Sequence, residues 1–315
     1  MSTASLSVPD ASGYCHEALF YSGQAAFVEA TLPFLNEAIS EQEPTLVVVS
    51  SAKIADLRQA LGAEADCVVF ADMAEVGTNP ARTAWASFRR THGAPGRRLR
   101  GIGEPICSAR TPAELVECER HEALLNAAFD DPAFWLLCPY DTATLSDEVL
   151  HEAQRNHPFV NDGGRSRPSA HYPGVDALVE RFDEPLSEPS GGAHTLQFTE
   201  RMLPALRRAV SEWAGDAGLT GGRADELIIA ANEIATNSLR YGGGRGTLLV
   251  WRDHESVLCE VRDRGRITNP MVDRVRPDQL SSGGRGLWLA NQLCDLVQIR
   301  SGRAGTVVRL HMGLA

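Results

Sequence analysis

Glu233 and Asn237 lie four residues apart in an apolar-periodic stretch, Ala224 to Tyr241, that stops at Gly242. A helix brings residues at this spacing to one face, one turn from each other. A carboxylate beside a carboxamide suits a metal-bound triphosphate. The amide oxygen can complete the octahedron of a Mg²⁺ that also holds phosphate oxygens, and the carboxylate can take the proton of an attacking hydroxyl. Alone, the pair says little, because polar residues at this spacing usually mark a solvated helix face. The downstream sequence adds to it. Val261-Arg262-Asp263-Arg264-Gly265 ends a strand-like run in a carboxylate and a turn glycine. Gly283, Gly284, Arg285, Gly286 and Leu287 then open a helix. Backbone N–H groups at such a start hold anions, and glycine lets phosphate oxygens approach closely. Gly305 and Thr306 begin a closing strand with a hydroxyl near its start.

In this order the set resembles the Bergerat-fold, or GHKL, ATPases, which include gyrase, histidine kinases and the anti-sigma factor serine kinases. Glu233 and Asn237 match the N box, Asp263 and Gly265 the G1 box, and Gly284 and Gly286 the G2 box, with Arg285 and Leu287 beside them. The resemblance implies ATP and Mg²⁺ as cofactors. It makes Asn237 the Mg²⁺ ligand, Glu233 the general base, Asp263 the acceptor for the adenine amino group, and Thr306 a member of the adenine network. The short stretch between the G1 and G2 boxes, with Pro270 and Pro277, looks like the compact lid of the anti-sigma kinase branch. Two positions depart from the family. Arg266 stands where a second G1 glycine is usual, and Arg240 where relatives often carry histidine. Neither removes a group the chemistry requires.

The elements that must hold these residues begin near His194. Thr195 to Phe198 reads as a strand, and Thr199 opens a helix to about Ala217. A long helix covers 223–241. Strands follow at Leu248 to Trp251 and Ser256 to Val261, then a short helix at 285–293 and two strands at 296–301 and 305–312. This is an antiparallel-rich α+β arrangement, in keeping with a Bergerat-fold sandwich.

Residues 14–157 read differently. Thr45 to Ser50, Cys67 to Ala71, Arg98 to Ile102 and Phe134 to Cys138 are short apolar strands. Helical stretches lie around 24–40, 52–61, 81–92, 112–128 and 145–155. Such alternation predicts a mostly parallel sheet with helices on both faces, a three-layer α/β domain. Lys53, the only lysine, follows Ala52, so no Gly-Lys-Ser/Thr phosphate loop (no Walker A) exists in the chain. The pairs His16-Glu17, His121-Glu122 and His151-Glu152 lack the second histidine of a zinc-protease helix. Proline and glycine crowd 158–193, which reads as a linker before a second domain at 194–315.

The stretch His16 to Gly23, the strand–helix unit around Val47, the run Phe70 to Arg82, and Cys138-Pro139-Tyr140-Asp141 through His157-Pro158 resemble the MEDS sensory domain. That resemblance implies a RecA-like fold that senses small molecules, hydrocarbon derivatives among them. His16, Tyr21, Asp72, Glu75, Asn79 and Arg82 are the polar candidates for a ligand pocket. The competing role for each is capping or packing; Asn79-Pro80, for example, suits a helix start.

The chain has 315 residues and a formal net charge of −11. The first 193 residues hold twice as many acidic as basic side chains, whereas the remainder carries a slight arginine excess. The acidic part is a poor nucleic-acid partner, since phosphate neutralisation dominates that binding. No apolar run reaches the roughly 18 residues of a membrane helix, and the first residues lack the pattern of a secretory signal. Seven scattered cysteines without a Cys-x-x-Cys point to reduced thiols in a cytoplasm.

Three functions are open on this reading. The first is a sensor-coupled anti-sigma factor that phosphorylates a serine or threonine of an anti-anti-sigma (STAS) partner and thereby controls a sigma factor, with a homodimer expected from relatives of the kinase domain. The second is an ATP-gated protein that sequesters sigma factor without phosphorylating anything. The third is a two-component histidine kinase, which needs an acceptor histidine on a dimerising helix; His121, His151, His157 and His194 are the histidines to weigh.

Overall fold

The computed structural model describes residues 14–76, 79–81, 85–93, 97–128, 134–162, 165–175, 177–178, 184–189, 191–269, 271–272, 274 and 285–314. The chain divides into two compact units, residues 1–180 and 181–315.

The first unit contains β1 (Cys15–Tyr21), α1 (Gly23–Ser40), β2 (Thr45–Val49), α2 (Ser51–Leu61), β3 (Val68–Asp72), α3 (Met73–Val76), α4 (Trp85–His92), β4 (Leu99–Gly103), α5 (Pro112–Ala128), β5 (Phe134–Asp141), α6 (Asp147–Asn156), β6 (Phe159–Asp162) and β7 (Arg165–Pro168). The seven strands form one sheet in the order β3-β2-β4-β5-β1-β6-β7. Every pairing in it is parallel except the last, between β6 and β7. The central strands are apolar runs because both faces are covered. On one face Ala18, Val48, Leu136 and Cys138 pack with Cys118 and Leu125 of α5 and Ala153 of α6. On the other, Leu19, Val47, Ile102 and Leu137 pack with Phe27 and Leu35 of α1 and Leu57 of α2.

Three strands differ from the sequence expectation. β1 was not expected as a strand, because His16 and Glu17 interrupt its apolar pattern; both are nonetheless buried. The stretch 158–193, expected as a linker, begins with β6 and β7. Their polar residues and Pro168 have the composition of a loop, but the same composition blunts the edge of a sheet.

The second unit contains β8 (His194–Thr199), α7 (Leu203–Asp216), α8 (Gly222–Tyr241), β9 (Arg245–Arg252), β10 (Ser256–Asp263), α9 (Arg285–Leu293), β11 (Leu296–Gly302) and β12 (Gly305–Gly313). Its five strands are ordered β11-β12-β10-β9-β8, all antiparallel. Strand residues alternate between faces. Val257, Cys259 and Val261 of β10 and Val308, Leu310 and Met312 of β12 face Leu206 and Val210 of α7, Leu227 and Ile234 of α8, and Leu287 and Ala290 of α9. All three helices thus cover one face. On the other face, Glu260 is fully buried and accepts from Arg262 and Arg309 at 2.5 and 2.7 Å. The strap Glu184 to Glu188 closes over these groups, receiving Arg300 at the Glu184 carbonyl and Arg309 at the Ser187 carbonyl.

Candidate functional site

The site forms where α8, β10, α9 and β12 meet. Glu233 and Asn237 project from α8, both half-buried. They converge on the second residue of α9: a Cβ built on Gly286 would lie 2.9 Å from Asn237 Nδ2 and 3.1 Å from Glu233 Oε2. Any side chain there would displace these two groups, so glycine at 286 keeps the space before them open. The first N–H groups of α9 have no partner within the helix and favour anions. Leu287 is 7% exposed and belongs to the core, so its contribution at the site is its backbone. Arg285 is exposed. Gly284 lies outside the described residues.

The second half of the site depends on strand register. Asp263 pairs with Thr306 across β10 and β12, and both continue the alternation that points toward the helices. Ser238 Oγ donates to Asp263 Oδ2 at 2.6 Å, and the Gly265 N–H donates to Oδ1 at 2.6 Å. Thr306 Oγ1 donates to the Gly265 carbonyl at 2.9 Å and shares a 2.8 Å hydrogen bond with Ser301 Oγ, which also accepts from the Ile267 N–H at 2.8 Å. A Cβ on Gly265 would lie 2.7 Å from the Tyr241 carbonyl, so the turn can pass this close to the end of α8 only as glycine. Arg240 and Arg266 are both exposed. The arrangement offers a fixed carboxylate and hydroxyl at one end and a carboxylate–carboxamide pair with a helix start at the other. These groups fit Mg-ATP: Asn237 would hold the metal, α9 the phosphates, and Asp263 with Thr306 the base.

The first unit holds a second set of groups. His16, on β1, is buried against Asn126, Glu122 and Cys138. His157 follows α6 and is buried, with its Nε2 3.4 Å from Glu122 Oε2. Burial, then His16, depresses the His157 imidazole to about 4. Burial opposes ionisation of Glu122, but the adjacent His157 and His16 rings outweigh it and hold the carboxyl below the carboxylate range. Glu122 and Cys138 line a cavity of about 40 Å³ with Asn79, Trp85 and Arg110. Asn79 is buried and its Oδ1 accepts from the Ala81 N–H, a local turn contact. Tyr21 lies elsewhere, at the end of β1. Its hydroxyl donates to Glu104 at 2.5 Å and accepts from Lys53 at 2.6 Å. It also borders a larger cavity of about 580 Å³ on the α1 side of the sheet, lined by Glu17, Phe34, Trp135 and Asn161. Asp72 caps the start of α3 by accepting from the Ala74 N–H, and Glu75 is exposed on α3; neither lines these cavities. Arg82 lies outside the described residues.

Residues 15–158 match the MEDS family, the methanogen/methylotroph DcmR sensory domain, and residues 196–312 match the histidine kinase-like ATPase domain. The chain joins a MEDS sensory domain to a histidine kinase-like ATPase domain. A solved structure of the RsbU and RsbW domains of Rv1364c from Mycobacterium tuberculosis is similar at 18% identity and a TM-score of 0.29, covering 38% of this chain and 32% of that one. The match thus spans about a third of that protein. No curated protein matches the chain at a significant level.

Sequence reasoning missed Ser238 and Ser301 in the ATPase domain and Glu104, Glu122, Cys138 and His157 in the MEDS domain. Ser238 directly follows Asn237 and could have been sought as the partner of Asp263. Nothing in the sequence near Ser301 signals its bridging role, which arises from its pairing with Thr306. Among the described residues, no helix is long and apolar enough to cross a membrane.

Proposed function

We propose that the ATPase domain binds Mg-ATP and transfers its γ-phosphoryl group to a serine or threonine hydroxyl of an anti-anti-sigma (STAS) partner, so that availability of a sigma factor follows the state of the MEDS domain. The observation that carries this reading is the convergence of Glu233 and Asn237 on Gly286. It brings a carboxylate and a carboxamide side by side at a helix start, which supports reading Glu233 as general base and Asn237 as metal ligand. Mg²⁺, when bound, neutralises charge on the phosphate oxygens. The partner hydroxyl oxygen forms the new bond to the γ-phosphorus as the bond to the β–γ bridging oxygen breaks, and ADP leaves. Glu233 takes the hydroxyl proton. Asp263, its carboxylate anchored by Ser238 and Gly265, accepts from the adenine amino group.

The surroundings of the histidines disfavour a histidine kinase. His121 and His157 are buried in the MEDS domain. His194 opens a strand and stacks on Trp213 with ring centroids 5.0 Å apart. His151 lies at 5.1 Å from the ring of His171. The reading also includes a small-molecule ligand in the MEDS domain, a homodimer, a domain boundary in 158–193 and a cytoplasmic location.

Phosphoryl transfer from γ-labelled ATP tests it, with the full chain and candidate anti-anti-sigma proteins. Acid-stable label on the partner is expected, reduced about 10²–10⁴-fold in Glu233→Gln, the usual scale for loss of a general base. Asn237→Ala is expected to weaken Mg-ATP binding itself. Acid-labile label on this chain would replace the proposal with a histidine kinase, and nucleotide binding without transfer would leave a sequestering protein.

A further inference from the structure

Four side chains from four separate elements meet inside the MEDS domain. His16 comes from β1, Glu122 from α5, Cys138 from β5, and His157 from the residue after α6. All four are buried, and one ligand atom from each lies within 4.8 Å of the others. The parallel register of β1 and β5 sets Ala18 opposite Cys138, so His16 and Cys138 share the face that α5 covers.

Four of the six separations lie near the edges of a coordination shell. With metal–nitrogen and metal–oxygen bonds near 2.0–2.2 Å and a metal–sulfur bond near 2.3 Å, the edges of a tetrahedron are roughly 3.3–3.8 Å. His16 Nε2 lies 2.9 Å from Glu122 Oε2 and 3.3 Å from Cys138 Sγ. Cys138 Sγ lies 3.2 Å from Glu122 Oε2, and His157 Nε2 3.4 Å from the same oxygen. Shifts of a few tenths of an ångström on these edges would admit an ion.

The outer hydrogen bonds decide what these atoms can do. Asn126 Nδ2 donates to the Asn156 carbonyl at 2.8 Å, which turns Asn126 Oδ1 toward His16 Nδ1 at 3.0 Å. His157 Nδ1 donates to the Ala153 carbonyl at 2.7 Å. Each Nδ1–H is thereby held outward and each Nε2 points inward, the arrangement that second-shell partners impose on metal-bound histidine. His157 Nε2 is buried with no hydrogen-bond partner. Two imidazole nitrogens, a carboxylate oxygen and a thiol thus face one another out of water, a donor set that one bound cation would satisfy together.

We infer that His16 Nε2, Glu122 Oε2, Cys138 Sγ and His157 Nε2 form a binding site for a first-row divalent transition-metal ion, Zn²⁺ by its mixed nitrogen, sulfur and oxygen donors. Coordination displaces the Cys138 thiol proton to solvent. Glu122 and Cys138 also line the cavity of about 40 Å³, so a ligand of a few heavy atoms reaches the ion from that side. The ion would then form one wall of a sensory pocket.

The test uses the tag-free full chain, stripped with chelator and reloaded with Zn²⁺ or Co²⁺. About one ion per chain is expected by elemental analysis, and the Co²⁺ form should show tetrahedral d–d bands with a sulfur-to-cobalt charge-transfer band in the near ultraviolet. Cys138→Ser should lose the charge-transfer band, whereas Cys259→Ser, a buried thiol of the ATPase domain, should keep it. Asn126→Leu should lower metal affinity by about 10–100-fold, the usual effect of losing a second-shell partner. A wild-type chain that takes up no stoichiometric Zn²⁺ or Co²⁺ would overturn the site and leave a hydrogen-bonded ion pair. So would a charge-transfer band that survives Cys138→Ser; the first outcome is read on the wild-type chain and needs no variant that could fail to fold.

Discussion

Ser238 Oγ donates to Asp263 Oδ2 at 2.6 Å, linking the helix that carries Glu233 and Asn237 to the strand that carries the carboxylate proposed to bind adenine. The two halves of the candidate site are thereby joined by a buried contact between α8 and β10. Ser238 is 1% exposed, so water cannot replace it.

Ser238→Ala should therefore act on both stability and binding. A hydrogen bond to a charged group contributes about 1.5–3 kcal/mol. The ATPase unit should unfold at lower temperature by calorimetry, and ATP affinity should fall by about 10-fold by titration. Unchanged values for both would mean that the Gly265 N–H alone fixes Asp263.

Gly286→Ala should separate stability from binding. Alanine favours a helix interior over glycine by about 1 kcal/mol, so the fold should be retained. The added methyl would enter the space that Asn237 and Glu233 face, and Mg-ATP affinity should fall by about 10-fold or more. Full nucleotide affinity in a folded variant would remove the convergence of the three residues from the mechanism.

Lys53→Met should destabilise the MEDS domain in a pH-dependent way. Lys53 Nζ donates to both oxygens of Glu104, at 2.6 and 2.5 Å. Burial raises the Glu104 carboxyl above its usual 4.5, and Lys53 counters this only in part. A raised carboxyl pKa means that the folded state binds the proton more tightly, so this contribution is full below about 4.5 and is lost as pH rises through the folded value. Without Lys53 that value rises further and the loss widens. Denaturant unfolding should show a small deficit at pH 4.5 and about 2–4 kcal/mol at pH 8. An equal deficit at both would show that Lys53 acts only by packing on Tyr21 and Phe27.

His311→Gln should flatten the acid limb of the ATPase unit. Burial, then Arg309, lowers His311 from 6.5 to about 4 against the pull of Asp253 and Asp295. A depressed histidine stabilises fully above about 6.5, and that stability is lost as pH falls toward 4. Glutamine does not titrate and can still reach Gln298, which now contacts the ring at 3.0 Å. The variant should lose about 1–2 kcal/mol less than the parent between pH 6.5 and 4, as read by denaturant midpoints.

Much of the ATPase domain was legible in the sequence because its signals are local. Glu233 and Asn237 share a face by helical spacing, the stop at Gly242 bounds the helix, and the start of α9 at Arg285 follows a glycine cluster. β12 also begins where the glycine before Thr306 suggested. Alternation in the MEDS domain likewise predicted most of its strands. β1 escaped because two polar residues sit inside it, β6 because it is only four residues long and half polar, and β7 because an edge strand shares the composition of a loop.

What the sequence by itself determined was the set of chemical groups and the order of elements, since helical and strand periods are properties of neighbouring residues. Only the tertiary structure decided which groups meet. The contact of Gly286 with Asn237 depends on how α9 crosses α8, and the pairing of Asp263 with Thr306 depends on sheet register. His16, Glu122, Cys138 and His157 are separated by up to 141 positions in the chain, with none of the close spacing that marks a metal helix. A parallel sheet and two covering helices brought them within bonding reach and out of water, where a shared cation would satisfy all four.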